Sequence, residues 1–592
     1  YRMQGENGMK KGWKKTLAVL ALCSLVIISC APGKKEEECP YEDFIVVDVF
    51  DSLANVQGIQ SGWFAKIVKD KFNMELNIIA PNVSGGGDTL FEVRSAAGNL
   101  GDLIICPAEN GALQDMVTAG LLIDMEPLIK DRQIMRFESA IRDLNGSVSQ
   151  PGIYAIPSEV SLNSPQTPME DPDPIYGPYV RWDLYKKLGY PKMDTLEDLL
   201  PVLKQMQELE PTSENGDRTY AFSFFKDWDS NLMNAVKQPC CFYGYDEYGF
   251  VLVKADSSDY QSIIEPDSLY MRVLKLYFDA NQMGLVDPES STQSYESFEN
   301  KYKEGQILFC TWPWVAQPAY NTEARVKEGK GFMMADINDM VIYSYGCSPA
   351  GNQKVVMSIG SQAEDPKRLA AFIDWLYSPE GIRSNRAQTS GGMAGPEGLC
   401  WEYGEDGPVL TDFGKKALMG EDVEVPVEWG SGTWSEGIST LNYSTVASCE
   451  LDDKGYPYAY LLWDSVRNMD ISPLEQDWRD KMGADSAMEY LKKNNKLLVS
   501  PGTGYMAPQE NSEMSAIRRQ CRKVIQEYSW NMVFADDEQE FNLLYDQMYK
   551  EVMELGYETM LEVDLQNAMA KEAARREAVE RVEENIRGAV TN

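Results

Sequence analysis

The hydrophobic positions along this chain change period repeatedly, and each change marks an element. The run Phe44-Ile45-Val46-Val47-Asp48-Val49-Phe50 is apolar almost throughout, the pattern of a buried strand. Trp63, Phe64, Ile67 and Val68 then recur at helical spacing, and Met74, Leu76 and Ile78 alternate as a second strand. A helix around Leu90 and Val93 follows, Leu103-Ile104-Ile105 is a third strand, and Leu113, Met116 and Val117 mark a helix stopped by Gly120. Strand, helix, strand, helix, strand predicts a parallel sheet with crossover helices, hence an α/β fold. Ligands of such open sheets sit beyond the carboxyl ends of the strands. That directs attention to residues 51–57, to Ser84-Gly85-Gly86-Gly87-Asp88 and to Pro107-Ala108-Glu109-Asn110. The glycine triplet lacks a Walker lysine and a GxGxxG frame, so it reads as a loop linker.

Periodicity vanishes from Pro157 to Pro178, where proline, serine and acids dominate. A crossover between two lobes has this composition. Beyond it, Thr195 caps a helix carrying Leu196, Leu199, Leu200, Leu203 and Met206, with Asp198 at the capping-box position. Pro201 either kinks that helix or marks its effective start. Near the end, Phe541, Leu544, Tyr545, Met548, Val552 and Leu555 form a stripe ended by Gly556, and a charged amphipathic helix follows Asp564. Both stripes are explained by core packing.

The front of the chain has a different pattern. Met9 is followed by Lys10, Lys11, Lys14 and Lys15 and then by an apolar run from Leu17 to Ile28. This is the arrangement of a secretory leader, and the run is shorter than the ~20 residues that span a bilayer. Ile27-Ile28-Ser29-Cys30 closes it as a lipobox, with an aliphatic residue at minus three, a small one at minus one and a thiol to receive lipid. Cleavage before Cys30 leaves a polar tether over residues 30–40, and the folded body begins near Tyr41.

Composition narrows the functions. A chain of 592 residues exceeds the size of a single core, so at least two lobes are expected. The formal charge is −37; residues 1–29 carry Arg2 and four lysines against Glu6, so their removal takes it to −41. That surface repels nucleic acid and anionic headgroups, leaving lipid on Cys30 as the membrane attachment. No histidine is present, which excludes Ser-His and Cys-His nucleophiles and histidine-ligated zinc or haem. With Cys23 and Cys30 set aside, nine dispersed cysteines remain without a CxxC pair, which argues against a disulfide framework. Vicinal Cys240 and Cys241 are either a redox pair or two small buried hydrophobes.

Several segments, in order, resemble one family. Gly120-Leu121-Leu122-Ile123-Asp124-Met125-Glu126-Pro127-Leu128 is similar to its glycine-and-leucine stretch before an acid and "PLI", and Gly152-Ile153-Tyr154-Ala155-Ile156-Pro157 to its "GKIYALP" strand. Residues 180–189, followed by 194–200, resemble "IRKDWLDKLGL…P.T.DEL"; residues 365–381 resemble "NPE…LKFLDYLYSPEG"; Gly395-Pro396-Glu397-Gly398 resembles a "GIEG" turn. The chain thus resembles the long branch of the family 1 extracellular solute-binding lipoproteins of carbohydrate ABC transporters. The resemblance implies a periplasmic-binding-protein-like fold of type II, with two lobes, hinge crossovers and a ligand cleft between them. It also implies capture of a sugar or oligosaccharide for permease subunits at the outer face of the cytoplasmic membrane, as a monomer, without catalysis or cofactor. Some long relatives carry a calcium loop after the "P.T.DEL" helix. Here Pro211-Thr212-Ser213-Glu214-Asn215-Gly216-Asp217-Arg218 has lost the paired aspartates, so no metal is expected.

On this frame residues 41–157 form the first part of lobe 1, 158–350 the first part of lobe 2, 351–445 the return to lobe 1, and 446–592 the return to lobe 2. Sugar sites pair stacked aromatics with bidentate polar side chains. Candidates are Trp312 and Trp314 after the strand 306–310, Trp228 with Asp229, and Trp429 with Trp434 in a glycine-rich stretch; lobe 1 adds Asp51, Glu109 and Asn110. Arg181 and Asp183 are either ligand contacts or a structural pair. An oligopeptide or anionic-glycan receptor of the same fold, or a surface glycoside hydrolase with two carboxylates across a cleft, are the competing readings.

Overall fold

The computed structural model describes residues 39–54, 56–84, 87–385, 392–467 and 469–591. The expected leader, Cys30 and nearly all of the expected tether lie outside the described residues, as do Gly85 and Gly86 of the glycine triplet. In chain order the strands used below are β1 (Ile45–Asp51), β2 (Gly58–Ile59), β3 (Met74–Ile79), β4 (Leu103–Cys106), β5 (Ile156–Ser158), β6 (Tyr179–Arg181), β7 (Tyr245–Tyr248), β8 (Val251–Lys254), β9 (Tyr260–Ser262), β10 (Phe309–Cys310), β11 (Phe332–Met334), β12 (Ile342–Tyr345) and β13 (Asn352–Ile359).

Lobe 1 is built on a six-stranded sheet of order β2-β3-β1-β4-β13-β5. β1 pairs in parallel with β3 and β4, as the alternation of strands and helices requires. β13 comes back antiparallel, with Val356 opposite Cys106 and Ile359 opposite Leu103. The carboxyl ends of β1, β4 and β5 and the amino end of β13 therefore lie on one edge. One apolar core covers the face against the helix Gly62–Phe72, and a smaller one, around Phe50, Ile104, Met116 and Leu144, covers the other.

Lobe 2 has a short sheet, β10-β6-β11, in a large helical core. β6 enters from the first crossover, so its Tyr179 end faces lobe 1; Cys310 and Met334 lie opposite Tyr179, and Phe332 opposite Arg181. The capping box of Thr195 and Asp198 forms, and the helix Leu199–Leu209 carries Pro201 in its first turn, where the missing N–H costs nothing. The last helix runs unbroken over Tyr557–Thr591, starting a turn and more before Asp564. Among the described residues no helix is long and apolar enough to cross a membrane.

One boundary moves. Val446, Tyr458, Tyr460 and Trp463, assigned above to the return to lobe 2, are buried in the lobe 1 core, and lobe 2 packing resumes with Leu474 and Trp478. The intervening segment has few periodic apolar positions, and its burial comes from partners far away in sequence.

Candidate functional site

At the lobe 2 edge that faces lobe 1, three aromatic side chains from three segments come together. Pro313 sits at the first position of the helix Pro313–Tyr320, which leaves Trp312 extended before it and Trp314 on its outer face. Trp312 is buried, whereas Trp314 is 47% exposed. Trp228 is 39% exposed and stacks on Tyr295, ring centroids 4.5 Å apart at 26°, and on Trp314 at 6.0 Å and 24°. Trp312 and Phe225 pack edge-on beneath Trp228, at 5.7 and 4.9 Å.

The loop carrying Trp228 is pinned on both sides. Asp227 accepts the Tyr295 N–H at 2.9 Å, and Asp229 accepts the Asn234 N–H at 2.8 Å and the Trp530 indole N–H at 2.7 Å. Asp229 is thus committed to positioning the loop. Stacked aromatics cost apolar exposure unless something covers them, and a sugar ring with apolar CH faces is a suitable cover.

Beside this platform lies a polar cluster that spans both lobes. Buried Lys237 pairs with Asp246 on β7 at 2.6 Å and lies over the Tyr176 ring at 4.9 Å. The Tyr345 hydroxyl donates to the other oxygen of Asp246, and Ser230 donates to Glu247 at 3.1 Å. Burial pushes the Glu247 carboxyl up, opposed by the charge of Lys237 and, more weakly, by that of Lys354 at the start of β13 in lobe 1. Burial likewise raises Glu159 beside β5, whose carboxylate accepts from Asn352 at 2.8 Å and also feels Lys354. From the last helix, Lys571 lies 5.1 Å from the centre of the Tyr248 ring. Burial and the neighbouring Arg575 depress its ammonium to about 8, while Asp246 and Glu109 act in the opposite sense. Among the described residues neither Lys354 nor Lys571 has a carboxylate within ion-pair distance, and the buried Arg575 Nε has no hydrogen-bond partner.

Some candidates lie elsewhere. Asp51 is fully buried at the end of β1, where its carboxylate accepts the N–H groups of Asn442 at 2.8 Å and Leu53 at 3.4 Å. Burial raises it to about 6 against those hydrogen bonds, and it ties β1 to the 442 loop. Glu109 is half-buried, and Asn110 is exposed in a left-handed turn with φ 56°. Both remain on the lobe 1 edge. Arg181 and Asp183 form a fork, Nε to Oδ1 at 2.9 Å and Nη2 to Oδ2 at 2.8 Å. Arg181 also reaches Glu210 at 2.9 Å and lies over Tyr320. Arg181 is 1% exposed, and its guanidinium is taken up by Asp183 and Glu210.

Trp434 is a core residue as well, correcting the expectation from its glycine-rich surroundings. Its ring lies 4.6 Å from that of Trp63 at 5°, and its carbonyl accepts the Trp63 indole N–H at 3.0 Å. Trp429 packs half-buried on the same core. Glycine permits this close packing: a Cβ on Gly437 would stand 2.2 Å from the Trp63 ring. In the degenerate loop, Glu214 lies 3.5 Å from both Arg325 and Lys330.

No protein-family model matches the chain, and neither does any curated protein. Solved structures do. The S. pneumoniae ABC-transporter substrate-binding protein FusA, in complex with kestose, superposes with a TM-score of 0.57 at 15% identity, covering 89% of this chain and 99% of that one. The alginate-binding protein AlgQ2 gives 0.57 at 16%, covering 90% and 99%. An extracellular solute-binding protein from Bifidobacterium longum subsp. infantis gives 0.54 at 13%, covering 88% and 98%. At such identities the likeness establishes the fold alone: a two-lobed architecture shared with these proteins over about nine-tenths of this chain.

Proposed function

We propose that this protein is a solute-binding lipoprotein that captures an oligosaccharide between its lobes and delivers it to the permease of an ABC importer. It acts as a monomer at the outer face of the cytoplasmic membrane, anchored by lipid on Cys30, and performs no chemistry on its cargo. The observation that carries this reading is the open stack of Trp228, Tyr295 and Trp314 on the edge of lobe 2 that faces lobe 1. FusA, solved with kestose, lends support through its shared fold.

The test is a titration of the full chain with neutral oligosaccharides, uronate oligomers and peptides, read by thermal shift and tryptophan fluorescence. A glycan that raises the unfolding temperature and changes the fluorescence, and is recovered intact, supports the reading. Binding confined to peptides, or hydrolysis of the bound glycan, would overturn it. The anchor has its own test: Cys30→Ala should release a protein that still binds but supports uptake poorly.

One observation favours an acidic glycan among the candidate cargoes. Among the described residues, Lys354 and Lys571 are two cations from different lobes with no carboxylate at ion-pair distance, and a uronate or other anionic sugar would neutralise them. Stronger binding of uronate oligomers than of neutral ones of equal length is the expected result.

A further inference from the structure

Two cysteines 102 positions apart meet at the hinge. Cys347 lies in the six-residue link between β12 of lobe 2 and β13 of lobe 1, with its N–H donating to Thr167 of the first crossover at 2.9 Å. Cys449 lies in the lobe 1 loop that grips the first crossover: Ala447 N–H donates to Val160 at 3.0 Å, the Ser448 hydroxyl to Met169 at 3.3 Å, and Glu450 accepts from Ser161 and from Leu162 N–H. The two Sγ atoms are 3.3 Å apart, with the Asn163 amide 3.7 Å from Cys449 Sγ. Cys347 is 1% exposed and Cys449 half-buried, so a reagent reaches the pair from the Cys449 side.

The link around Cys347 is built for torsion and close approach. Gly351 has φ +64°, and a Cβ on Gly346 would stand 1.9 Å from the Pro165 carbonyl oxygen. Both glycines lie in the six-residue link that joins β12 to β13, so backbone rotation there would alter where Cys347 sits relative to the loop that holds Cys449. A disulfide needs the sulfurs about 2.04 Å apart, a closure of roughly 1.3 Å that side-chain rotation can supply.

We propose that Cys347 and Cys449 are a redox pair that closes to a disulfide and staples the second crossover to the loop gripping the first. The oxidant is a small or protein disulfide. The Cys449 thiolate attacks it, forming a mixed disulfide and expelling one thiolate. The Cys347 thiolate then attacks the Cys449 sulfur, expelling the second. Two protein thiols become one disulfide, the oxidant becomes two thiols, and the two protons released go to the departing thiolates. The bonded form holds the hinge in one setting; reduction frees it. This step does not depend on the identity of the cargo.

The experiment treats the full chain with oxidised glutathione and digests it without reduction. The expected product is a linked peptide containing both cysteines, two hydrogens lighter than the separate thiol peptides and split by dithiothreitol. In the same oxidised protein, hydrogen exchange over residues 346–351 and 447–450 should slow, and it should not slow in identically treated Cys347→Ser or Cys449→Ser. A glutathione adduct on Cys449 without the link, a link between other cysteines, or a link that leaves exchange unchanged overturns the proposal. The oxidised and reduced wild-type comparison decides the matter even if a variant folds poorly.

Discussion

The two lobes each stack aromatic rings, and the same contact serves them differently. In lobe 1, Trp63 and Trp434 lie nearly parallel and buried, and the Trp63 indole N–H is used internally. In lobe 2, Trp228, Tyr295 and Trp314 are stacked as well, but the array keeps an open side. Ring geometry alone therefore does not mark a ligand platform. What distinguishes the proposed platform is uncovered apolar surface on a loop held by hydrogen bonds that Asp227 and Asp229 accept, which would lower the ordering cost of binding.

The largest expected effect comes from breaking the closed stack. Trp434→Ala should cost about 3–5 kcal/mol of folding stability, the usual price of emptying an indole-sized core site, measured by urea unfolding. Unchanged stability would mean that the Trp63–Trp434 stack contributes little to holding lobe 1 together. Asp51 tests the other buried group of lobe 1. Its folded pKa is raised, so the protonated carboxyl contributes stability that is fully present below about 3.8 and is lost as pH rises through about 6. The loss amounts to about 3 kcal/mol at most. Unfolding curves between pH 3.5 and 7 (chosen to bracket that window, about two units wide) should show this slope, and Asp51→Asn should flatten it.

The open stack should behave in the opposite way. Trp228→Ala is expected to weaken glycan binding by about 2 kcal/mol, roughly 30-fold, with folding stability changed by less than about 1 kcal/mol. Equal losses in both would erase the distinction between the lobes. The smallest effect belongs to Lys571. Its ammonium loses charge as pH rises through about 8, so affinity for a uronate oligomer should fall across that value and stay flat for a neutral one. Lys571→Met should remove the inflection, as followed by calorimetric titration at several pH values.

The alternating periods of residues 44–120 were enough to read three parallel strands and their helices, because half-burial on a sheet or helix imprints its own repeat on the sequence. The basic and apolar pattern before Cys30, from which a leader and lipobox are proposed, and the lack of histidine are likewise local or compositional. The order of short motifs pointed to the two-lobed fold, and Trp228, Trp312 and Trp314 could be singled out because each follows an apolar run. Beyond that, only the tertiary structure decided. Trp434 sits in a glycine-rich loop like an exposed residue, yet Trp63, 371 positions away, covers it. Residues 446–463 belong to lobe 1, Lys354 and Lys571 face one cluster, and Cys347 meets Cys449, none of which leaves a local pattern. Periodicity records which side of an element is covered; it carries no label for the distant segment that does the covering, and burial, charge pairing and thiol contact are properties of that second partner.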